Sequence, residues 1–567
     1  MMLQVTEVTL TVLFALTLWV EVVSFLPPNP MEYGVRASVG GKRHAYKTVG
    51  YAFSKALNGT SESPSSGTRL PPKDETFSPQ GALAELLAAP VPPASCGRFD
   101  GVGKKSGGIW RSCVLGFMPS TVLAWPLADK WMIQQEAAGN IVPSYPESIK
   151  KLFGPKALTS IILPSKRHVA LMGAFDRALS LKAILKLLPA IEAAMNKLAI
   201  RWEEAATSGQ EVAMLDDIKD FTLETICGGL LGDYATERVR EDIARLLPIF
   251  ANGVISLPIQ VGWPLNLLPM FKFDESLNAR KKLIKVLQSV VKRRKEDTAQ
   301  SNVDGCERHA GVIDGFLIIR KEQEKAQGPD PEIDDDFIVD NVIASLFGGY
   351  DTTAAAISRI VQTLGSADGK GVIDELSKEL SKVIVSNEET LRHDSTGILS
   401  NGIFKAFPLL EAVFLESYRL TPNSPGVFRK VVRGTAYNGY RIPSGESILW
   451  DTSVGCRAAS LYPEPETFCP FRFLHRGSFN HDAASADKEQ PRPQPFGFGV
   501  HMCRGRELAK LEMLIFFRQL LSRFEFDLVK GQDFDGEPPA NAPKGRLQVR
   551  LKMKANATRE YVNNIEA

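Results

Sequence analysis

One long proline-free stretch, from Asp334 to about Ser366, sets the scale of the fold. Its apolar residues recur at helical spacing on both sides of the pair Gly348-Gly349. A single helix of this length is roughly 50 Å long, which is enough to cross a whole domain. A glycine in the middle of a helix costs about 1 kcal/mol relative to alanine, so a pair of them needs a reason. The stretch predicts a central helix with bare backbone at one point.

A glycine-rich loop delivers one cysteine to the start of another helix. Phe496, Gly499 and Gly505 surround Cys503, and a helix is predicted over residues 504–523. Glycine lets backbone N–H groups approach the sulfur closely, and the helix directs the positive end of its dipole towards it. Both effects favour the thiolate and are expected to lower the thiol pKa, and the thiolate is the form that binds a metal. A structural cysteine in a turn is the alternative.

Two more motifs lie between these features. Glu416 and Arg419 stand three residues apart on a helix predicted over residues 409–420, so they share a face. Arg472 follows in the string Phe-Cys-Pro-Phe-Arg-Phe at residues 468–473. Either motif alone is weak evidence, since a Glu–Arg pair at this spacing is common on helix surfaces. Their order and separations relative to the cysteine loop are far more specific.

Taken together, these motifs resemble those of the cytochrome P450 family. The resemblance runs from about Trp110 to Lys552. The strings at residues 144–154, 277–282 and 507–512 make it greatest to the plant and algal branch that oxidises sterols, triterpenoids and isoprenoid hormones. The mix of long helical patterns and short strands itself predicts an α+β, mainly helical fold with a smaller β region. The resemblance implies the cytochrome P450 fold with a long central helix, a catalytic domain over residues 96–556 and haem b as cofactor.

The resemblance also implies roles for individual residues. Cys503 would be the proximal ligand of the haem iron, and Thr352 with Asp351 would manage proton delivery. The glycine pair would present bare backbone to the flat macrocycle, while Thr352 either bonds back to a carbonyl one turn earlier or holds a water. The other residues expected at the cofactor are Phe496, Gly499, Gly505, His501, His168 and Arg429, and the expected supports of the loop are Glu416, Arg419 and Arg472.

Two positions depart from the family pattern. His501 stands two residues before the cysteine, where an arginine often pairs with a haem propionate. Met172 stands where an earlier element, which begins here at His168, often ends in arginine. Neutral histidine can donate a hydrogen bond, but it carries full charge only below about pH 6.5. Haem retention is therefore expected to be weaker unless other cations replace those two.

Composition excludes several function classes. The chain has 567 residues, 44% of them hydrophobic, and a formal net charge of +2. This near-neutral balance argues against a nucleic-acid partner, and seven cysteines without a C-x-x-C pair argue against a disulfide framework or a zinc site. The expected partners are a hydrophobic small molecule and a redox protein, and the protein is expected to be a monomer.

The first part of the chain has the composition of a targeting region. Residues 8–20 are an uninterrupted run of apolar residues and threonines, so residues 1–26 are interpreted as a signal or a membrane anchor. Residues 27–95 are expected to be a transit-like or disordered linker, and residues 557–567 a tail. A single endoplasmic-reticulum anchor, a bipartite plastid leader and an unprocessed disordered tail all remain open.

Several local elements follow from the pattern. A β-hairpin is predicted over residues 109–125, helices over 175–206 and 215–231, and a strand over 437–443. A basic run at 280–295 is interpreted as a solvated helix face, with contact to a redox partner or to membrane headgroups as the alternative. The apolar, proline-broken stretch at 257–269 is expected to be a loop that lids a channel, dips into a membrane or is simply buried.

The leading functional hypothesis is a haem-thiolate monooxygenase that inserts one oxygen atom into a hydrophobic isoprenoid. Electrons would come from NADPH through a flavin reductase in the endoplasmic reticulum, or from ferredoxin in a plastid. Three alternatives remain: a fatty-acid hydroxylase, a haem-thiolate enzyme that isomerises peroxides, and a haem-binding protein without turnover. The intact Thr352 argues against the peroxide isomerase, and the missing propionate arginines motivate the binding protein.

Overall fold

A computed structural model of the chain describes most of the expected catalytic domain. The described residues are 69–73, 103–114, 118–161, 165–254, 256, 272–300, 311–327, 333–381, 402–424, 426–474, 490–497, 501–537 and 540–555. The apolar run at residues 8–20 and the proline-broken stretch at 257–269 lie outside them, so the predictions made for both stay predictions. The same holds for the proposed domain boundaries.

Helices dominate the described part of the chain. They are α1 (Asp129–Ala137), α2 (Glu147–Phe153), α3 (Lys166–Ala178), α4 (Leu181–Leu185), α5 (Leu188–Ser208), α6 (Met214–Leu231), α7 (Glu237–Ala251), α8 (Phe273–Gln300), α9 (Val312–Gln327), α10 (Asp335–Leu364), α11 (Ala367–Ser381), α12 (Ile403–Ala406), α13 (Pro408–Leu420) and α14 (Arg506–Arg523).

The strands are short and fall into separate small sheets. They are β1 (Ile109–Val114), β2 (Met118–Ala124), β3 (Ile141–Pro143), β4 (Glu211–Ala213), β5 (Gly426–Val431), β6 (Thr435–Tyr437), β7 (Tyr440–Ile442), β8 (Ser447–Asp451), β9 (Phe524–Leu528), β10 (Gly536–Glu537), β11 (Ala542–Pro543) and β12 (Gln548–Met553). The mainly helical α+β class expected from the sequence is confirmed.

The predicted central helix is α10, and it spans Asp335–Leu364. Asp334 caps its first turn by accepting a hydrogen bond from the Phe337 N–H at 2.8 Å. Thirty residues at 1.5 Å each make it about 45 Å long. Apolar residues are buried along its whole length because α6, α8, α13 and α14 all pack against it, which makes it the axis of the main hydrophobic core.

The largest sheet has the strand order β1-β2-β8-β5-β3. Its first two strands are antiparallel, with Ile109 opposite Leu123, so the predicted hairpin is confirmed. β8 pairs with β2 in parallel and with β5 in antiparallel orientation, and β3 closes the other edge. A second sheet, β4-β12-β9, packs against α5 through β12. The first sheet matters for the site because β5 carries Arg429 directly after α13.

Two local predictions differ from the structure. Residues 437–443 form the turn and second strand of a hairpin rather than one strand, because Asn438 (φ 49°) and Gly439 (φ 79°) adopt the left-handed conformations of a tight hairpin turn. The helix expected over 175–206 is three helices. Ser180 ends one segment and caps the next through the Ala183 N–H, and Pro189 lies in the first turn of α5.

Residues 69–73 lie against the β region, well before residue 96. The Arg441 N–H donates to the Arg69 carbonyl at 2.9 Å, and the Arg111 N–H donates to the Pro72 carbonyl at 2.7 Å. Part of the expected linker therefore contacts the catalytic domain. Across the described ranges, every helix is either too short or too polar to cross a membrane.

Candidate active site

The cysteine loop is closed by a backbone hydrogen bond between its two ends. The Cys503 N–H donates to the Phe496 carbonyl at 2.8 Å. Gly497 takes a φ of +72°, a conformation that favours glycine. Gly499 lies outside the described residues. Gly505 caps the start of α14, and an added Cβ there would lie 3.9 Å from the Cys503 sulfur, so the backbone passes close to the thiol.

The Cys503 thiol is accessible, yet it is surrounded by protein atoms at longer range. Desolvation is the largest influence on its pKa and raises it. Backbone N–H groups of Gly505 and Arg506 donate towards the sulfur and act in the opposite direction, as do the Arg506 and Arg504 charges. The expectation of a lowered thiol pKa is therefore wrong for the protein alone. The thiolate would need the charge of a bound metal.

Phe496 anchors the loop by packing. Its ring centroid lies 5.5 Å from that of Phe414 on α13, and the Lys510 Nζ lies 5.8 Å from the Phe496 ring. This places the first residue of the loop between α13 and α14. The loop is thus clamped by side-chain packing at one end and by the start of α14 at the other.

Buried Arg429 and two histidines form a group on β5, on α3 and in the cysteine loop. Arg429 forms an ion pair with Glu136, and its charge acts on His501. Burial is the main cause that lowers the pKa of His501 to about 4, with smaller contributions from Arg429 and His168. His501 is therefore neutral at physiological pH. The structure brings together three of the residues expected at the cofactor, and Arg429 is the charged one among them.

A cation that the sequence did not predict lies beside Met172. The Arg504 Nε donates to the Met172 sulfur at 3.1 Å, and its Nη1 lies 2.9 Å from the Asp176 carboxylate. The Arg504 charge also contributes to lowering the pKa of His168, after burial. Arginine from the cysteine loop thus lies next to the helix position where the sequence lacks one.

The glycine pair of α10 serves two different purposes. A Cβ at Gly348 would meet no atom within 4 Å, so its bare backbone faces open space. A Cβ at Gly349 would lie 2.5 Å from Ile226 Cδ1 on α6, so the Ile226 side chain would have to move to admit any larger residue. Helix packing therefore accounts for Gly349, and only Gly348 matches the expectation of backbone left open for a cofactor and its ligand.

Thr352 and Asp351 follow the glycines and point to different partners. The Thr352 hydroxyl donates to the Gly348 carbonyl one turn earlier, which is the first of the two arrangements expected. Asp351 is buried, and the Lys219 Nζ lies 3.4 Å from its Oδ1. Desolvation raises the pKa of Asp351, and Lys219 opposes that rise. Lys219 has 32% of its side chain exposed, so it connects the buried carboxyl to solvent.

A buried carboxylate joins two arginines behind the loop. Glu416 accepts from Arg419 Nε and Nη2 at 2.8 Å each, and from Arg472 Nε at 3.0 Å. Arg419 is fully buried and also donates to the carbonyls of Cys456 and Pro465, at 3.0 and 2.6 Å. Three charge-assisted hydrogen bonds thus converge on Glu416, and α13 is tied to residues 456–472, which precede the cysteine loop in the chain.

Glu512 and Lys219 were missed as site residues by sequence reasoning. Glu512 lies on α14, is only 1% exposed, and accepts hydrogen bonds from Thr225 on α6 and Thr353 on α10. Burial raises its pKa to about 8, so it is mostly a neutral acid at pH 7. An acid among apolar helix positions was the available signal for Glu512. No sequence signal pointed to Lys219.

A cavity of about 240 Å³ lies away from these residues. It is lined by Lys156, Arg280, Asp336 and Asp340, among others, between the segment after α2 and the starts of α8 and α10. The charges pair internally, since Lys156 bonds to Asp334 and Arg280 to Asp340. The cavity includes none of the expected site residues.

The residues present fit a haem. The accessible Cys503 thiol, framed by backbone N–H groups, is a suitable iron ligand. Gly348 on the central helix faces open space. Arg429 and the two histidines suit the acidic propionate edge of the macrocycle. Thiolate is the ligand that distinguishes haem-thiolate monooxygenases from haem proteins with histidine ligands. Among the described residues, no group of three or more His, Cys, Asp or Glu side chains is placed to hold a metal ion.

Comparison with known proteins agrees with this geometry. The profile of the cytochrome P450 family matches residues 163–552. Abscisic acid 8'-hydroxylase of Solanum lycopersicum is 27% identical over 507 residues, which cover 89% of this chain and 95% of that protein. Beta-amyrin 28-monooxygenase of Vitis vinifera is 26% identical over 458 residues, which cover 80% and 85%.

Solved structures support the fold. Retinoic acid bound cyanobacterial CYP120A1 superposes with a TM-score of 0.65 at 23% identity, and the match covers 86% of this chain and all of that one. The family profile spans more than half of the chain and includes every motif described above. The chain therefore belongs to the cytochrome P450 family, and it is a haem-thiolate monooxygenase of that family.

Proposed function

We propose that the protein inserts one atom of dioxygen into a hydrophobic isoprenoid such as a sterol, a terpenoid or a carotenoid-derived compound. The observation that carries the proposal is the accessible Cys503 thiol at the start of α14, framed by backbone N–H groups. The isoprenoid class is supported by relatives named for abscisic acid and beta-amyrin. A bound haem would supply dioxygen activation at a thiolate-ligated iron.

Cys503 would hold the cofactor through its sulfur. The N–H groups of Gly505 and Arg506 would stabilise the negative charge on that sulfur once it is deprotonated. Arg429 would pair with a propionate, and neutral His501 and His168 would donate hydrogen bonds nearby. Arg504 would add positive charge on the α3 side, where Met172 offers none.

Proton delivery would run through Lys219, Asp351 and Thr352. Lys219 is partly in solvent and holds the Asp351 carboxyl at 3.4 Å, so protons can reach a buried acid from outside. The raised pKa of Asp351 lets it carry a proton nearer to neutral pH. Rotation of the Thr352 hydroxyl away from Gly348 would let it pass that proton to a water on the open side of α10.

Glu416, Arg419 and Arg472 would act as supports. None of the three needs to touch the substrate, because their bonds fix α13 relative to the segment that leads into the cysteine loop. Electrons would come from NADPH through a flavin reductase, or from ferredoxin. The protein would lie at the endoplasmic-reticulum membrane or in a plastid, and it would act as a monomer.

The test combines a spectrum with oxygen uptake. Purified enzyme is titrated with abscisic acid, beta-amyrin and palmitic acid, and the haem Soret band is followed. A shift to high spin with an isoprenoid, together with oxygen consumption that requires NADPH plus reductase or ferredoxin, is expected. A shift with palmitic acid alone would favour a fatty-acid hydroxylase.

Two results would overturn the proposal. The first is the absence of reductant-dependent oxygen uptake with either donor. The second is an unchanged haem spectrum in Cys503→Ser, since the proposal assigns the iron ligand to that sulfur. Cys469→Ser is the matched control, because Cys469 is a free thiol that precedes the cysteine loop and should leave the spectrum unchanged.

A further inference from the structure

Asn423 makes a side-chain contact with the backbone of Thr352. Its Nδ2 donates to the Thr352 carbonyl at 2.8 Å, across 71 positions of sequence. Asn423 lies in the loop that follows α13, the helix that carries Glu416 and Arg419. A carbonyl oxygen has two lone pairs, so this bond can be made in addition to the intrahelical one. The midpoint of the central helix is thus tied to the framework that supports the cysteine loop.

A second series of hydrogen bonds, through Asn541 and Arg359, also connects the Asn423 loop to α10. Asn541 Nδ2 donates to the Pro422 carbonyl at 2.8 Å. The Asn541 carbonyl in turn accepts from Arg359 Nε at 2.9 Å, and Arg359 lies on α10 seven residues after Thr352. The loop therefore cannot shift along α10 without breaking a buried hydrogen bond.

The other side of the loop is also fixed. The Tyr418 hydroxyl donates to the Ser424 carbonyl at 2.9 Å, and Tyr418 is buried on α13. The chain then enters β5, which carries Arg429. Asn423 is therefore held between α13, which supports the cysteine loop, and β5, which carries the arginine proposed to pair with a propionate.

We propose that Asn423 is a positioning residue for oxygen activation, which holds the Thr352 carbonyl and so sets the orientation of the Thr352 hydroxyl. The proposal rests on the role of Thr352 proposed above. A carbonyl that takes a second donor from outside the helix tilts outwards, and this bends the helix locally. The Thr352 hydroxyl bonds to the Gly348 carbonyl one turn earlier. Because the tilted carbonyl belongs to Thr352 itself, the tilt also reorients the hydroxyl that would hold a water.

The test uses Asn423→Ala and Asn423→Asp in the holoenzyme. Aspartate has nearly the same shape but cannot donate when ionised, so it should behave like alanine or worse. Ser424→Ala is the control, because it changes an exposed side chain in the same loop. Hydrogen exchange of the amides at residues 352–357 is measured, together with peroxide released and product formed per electron supplied. The substrate is the titrated compound that gives the largest spectral shift.

Loss of one such bond is expected to speed exchange in this segment about fivefold. In both Asn423 variants, peroxide release should rise and product per electron should fall, while the ligand-induced Soret shift should not change. In the Ser424→Ala control, all of these quantities should equal those of the wild type. Unchanged exchange in both variants would overturn the proposal, because the tether would then not hold the helix. Faster exchange with normal product per electron would overturn the positioning role.

Thr352→Ala, measured alongside, separates two kinds of failure. If it leaves product per electron unchanged, the proposed role of Thr352 is wrong and the role of Asn423 falls with it. If Thr352→Ala releases more peroxide than the wild type and neither Asn423 variant does, the proposed function stands and only the positioning role of Asn423 is wrong.

Discussion

The carboxyl of Glu512 on α14 accepts a hydrogen bond from the hydroxyl of Thr353 on α10, and it links the helix that begins at the cysteine loop to the helix proposed to activate oxygen. A second hydroxyl, from Thr225 on α6, bonds to the same acid. Three helices therefore meet at one carboxyl, and within the described part of the chain its bonded partners are hydroxyls rather than arginine or lysine. Desolvation consequently dominates and raises its pKa to about 8.

Glu512→Gln should change how stability depends on pH. The folded-state pKa of about 8 lies above the ordinary glutamate value of 4.5, so the stability that this acid contributes is fully present below pH 4.5 and is lost as pH rises through about 8. The free energy of unfolding of the wild type should fall relative to the Gln variant over this range, by a few kcal/mol at most.

Urea unfolding of the holoenzyme at pH 5, 6, 7 and 8, followed by circular dichroism, gives the two curves. Taking their difference removes the contributions of other titrating groups that the two proteins share. Parallel curves would show that Glu512 is already ionised in the folded protein.

Lys219→Met should weaken proton delivery without weakening substrate binding. Removing the lysine leaves Asp351 buried without its 3.4 Å partner, so its pKa should rise further and the alkaline limb of the kcat profile should move to higher pH. Asp351→Asn should lower kcat about a hundredfold, as expected for loss of a general acid.

The matched control for this test is Lys197→Met. Lys197 forms a surface pair with Glu224 at 3.0 Å on the neighbouring helix, so its loss should leave kcat and its pH profile unchanged. Equal effects of the two lysine variants on kcat would show a general charge effect rather than a relay.

Arg472→Ala should reduce haem content and stability together. It leaves Glu416 buried with one of its two cations missing, and breaking a buried ion pair typically costs about 3–5 kcal/mol. The haem-to-protein absorbance ratio and the urea midpoint measure the two effects.

Arg177→Ala serves as the comparison, since Arg177 pairs with Glu322 at 3.0 Å on the exposed surface and should cost less than about 1 kcal/mol. A normal haem ratio and midpoint in Arg472→Ala would remove the support role proposed for the cluster.

The two glycines of α10 should respond oppositely to alanine. Gly349→Ala forces a Cβ to within 2.5 Å of the Ile226 side chain and should destabilise the fold by about 1–3 kcal/mol. The double variant with Ile226→Ala should recover this stability.

Gly348→Ala places its Cβ where no protein atom lies within 4 Å, so it should stabilise the helix by about 0.5–1 kcal/mol. The same substitution should perturb the haem spectrum. A destabilised Gly348→Ala with an unchanged spectrum would mean that this position does not face the cofactor.

Much of the framework could be predicted locally. The central helix, α6, α13, α14 and the first hairpin follow from apolar periodicity, and all were found near the expected bounds. The predictions of helix and strand bounds were wrong where one or two turn-forming residues outweigh the apolar periodicity. These residues are Ser180 and Pro189 between helices, and Asn438-Gly439 inside an expected strand. Helix and strand patterns extend over many residues, whereas a turn is decided by one or two.

The sequence by itself determined the family, the cysteine and the order of the motifs, because the spacing of special residues in one loop is a local property. Only the tertiary structure decided which groups meet Cys503, Asp351 and Thr352. Lys219 approaches Asp351 and Asn423 approaches Thr352 from distant segments, and Arg504 contacts Met172 on a distant helix. Desolvation by the surrounding protein reversed the expected pKa shift of the thiol. Contacts and desolvation depend on the folding of the whole chain, so no stretch of sequence could have specified them alone.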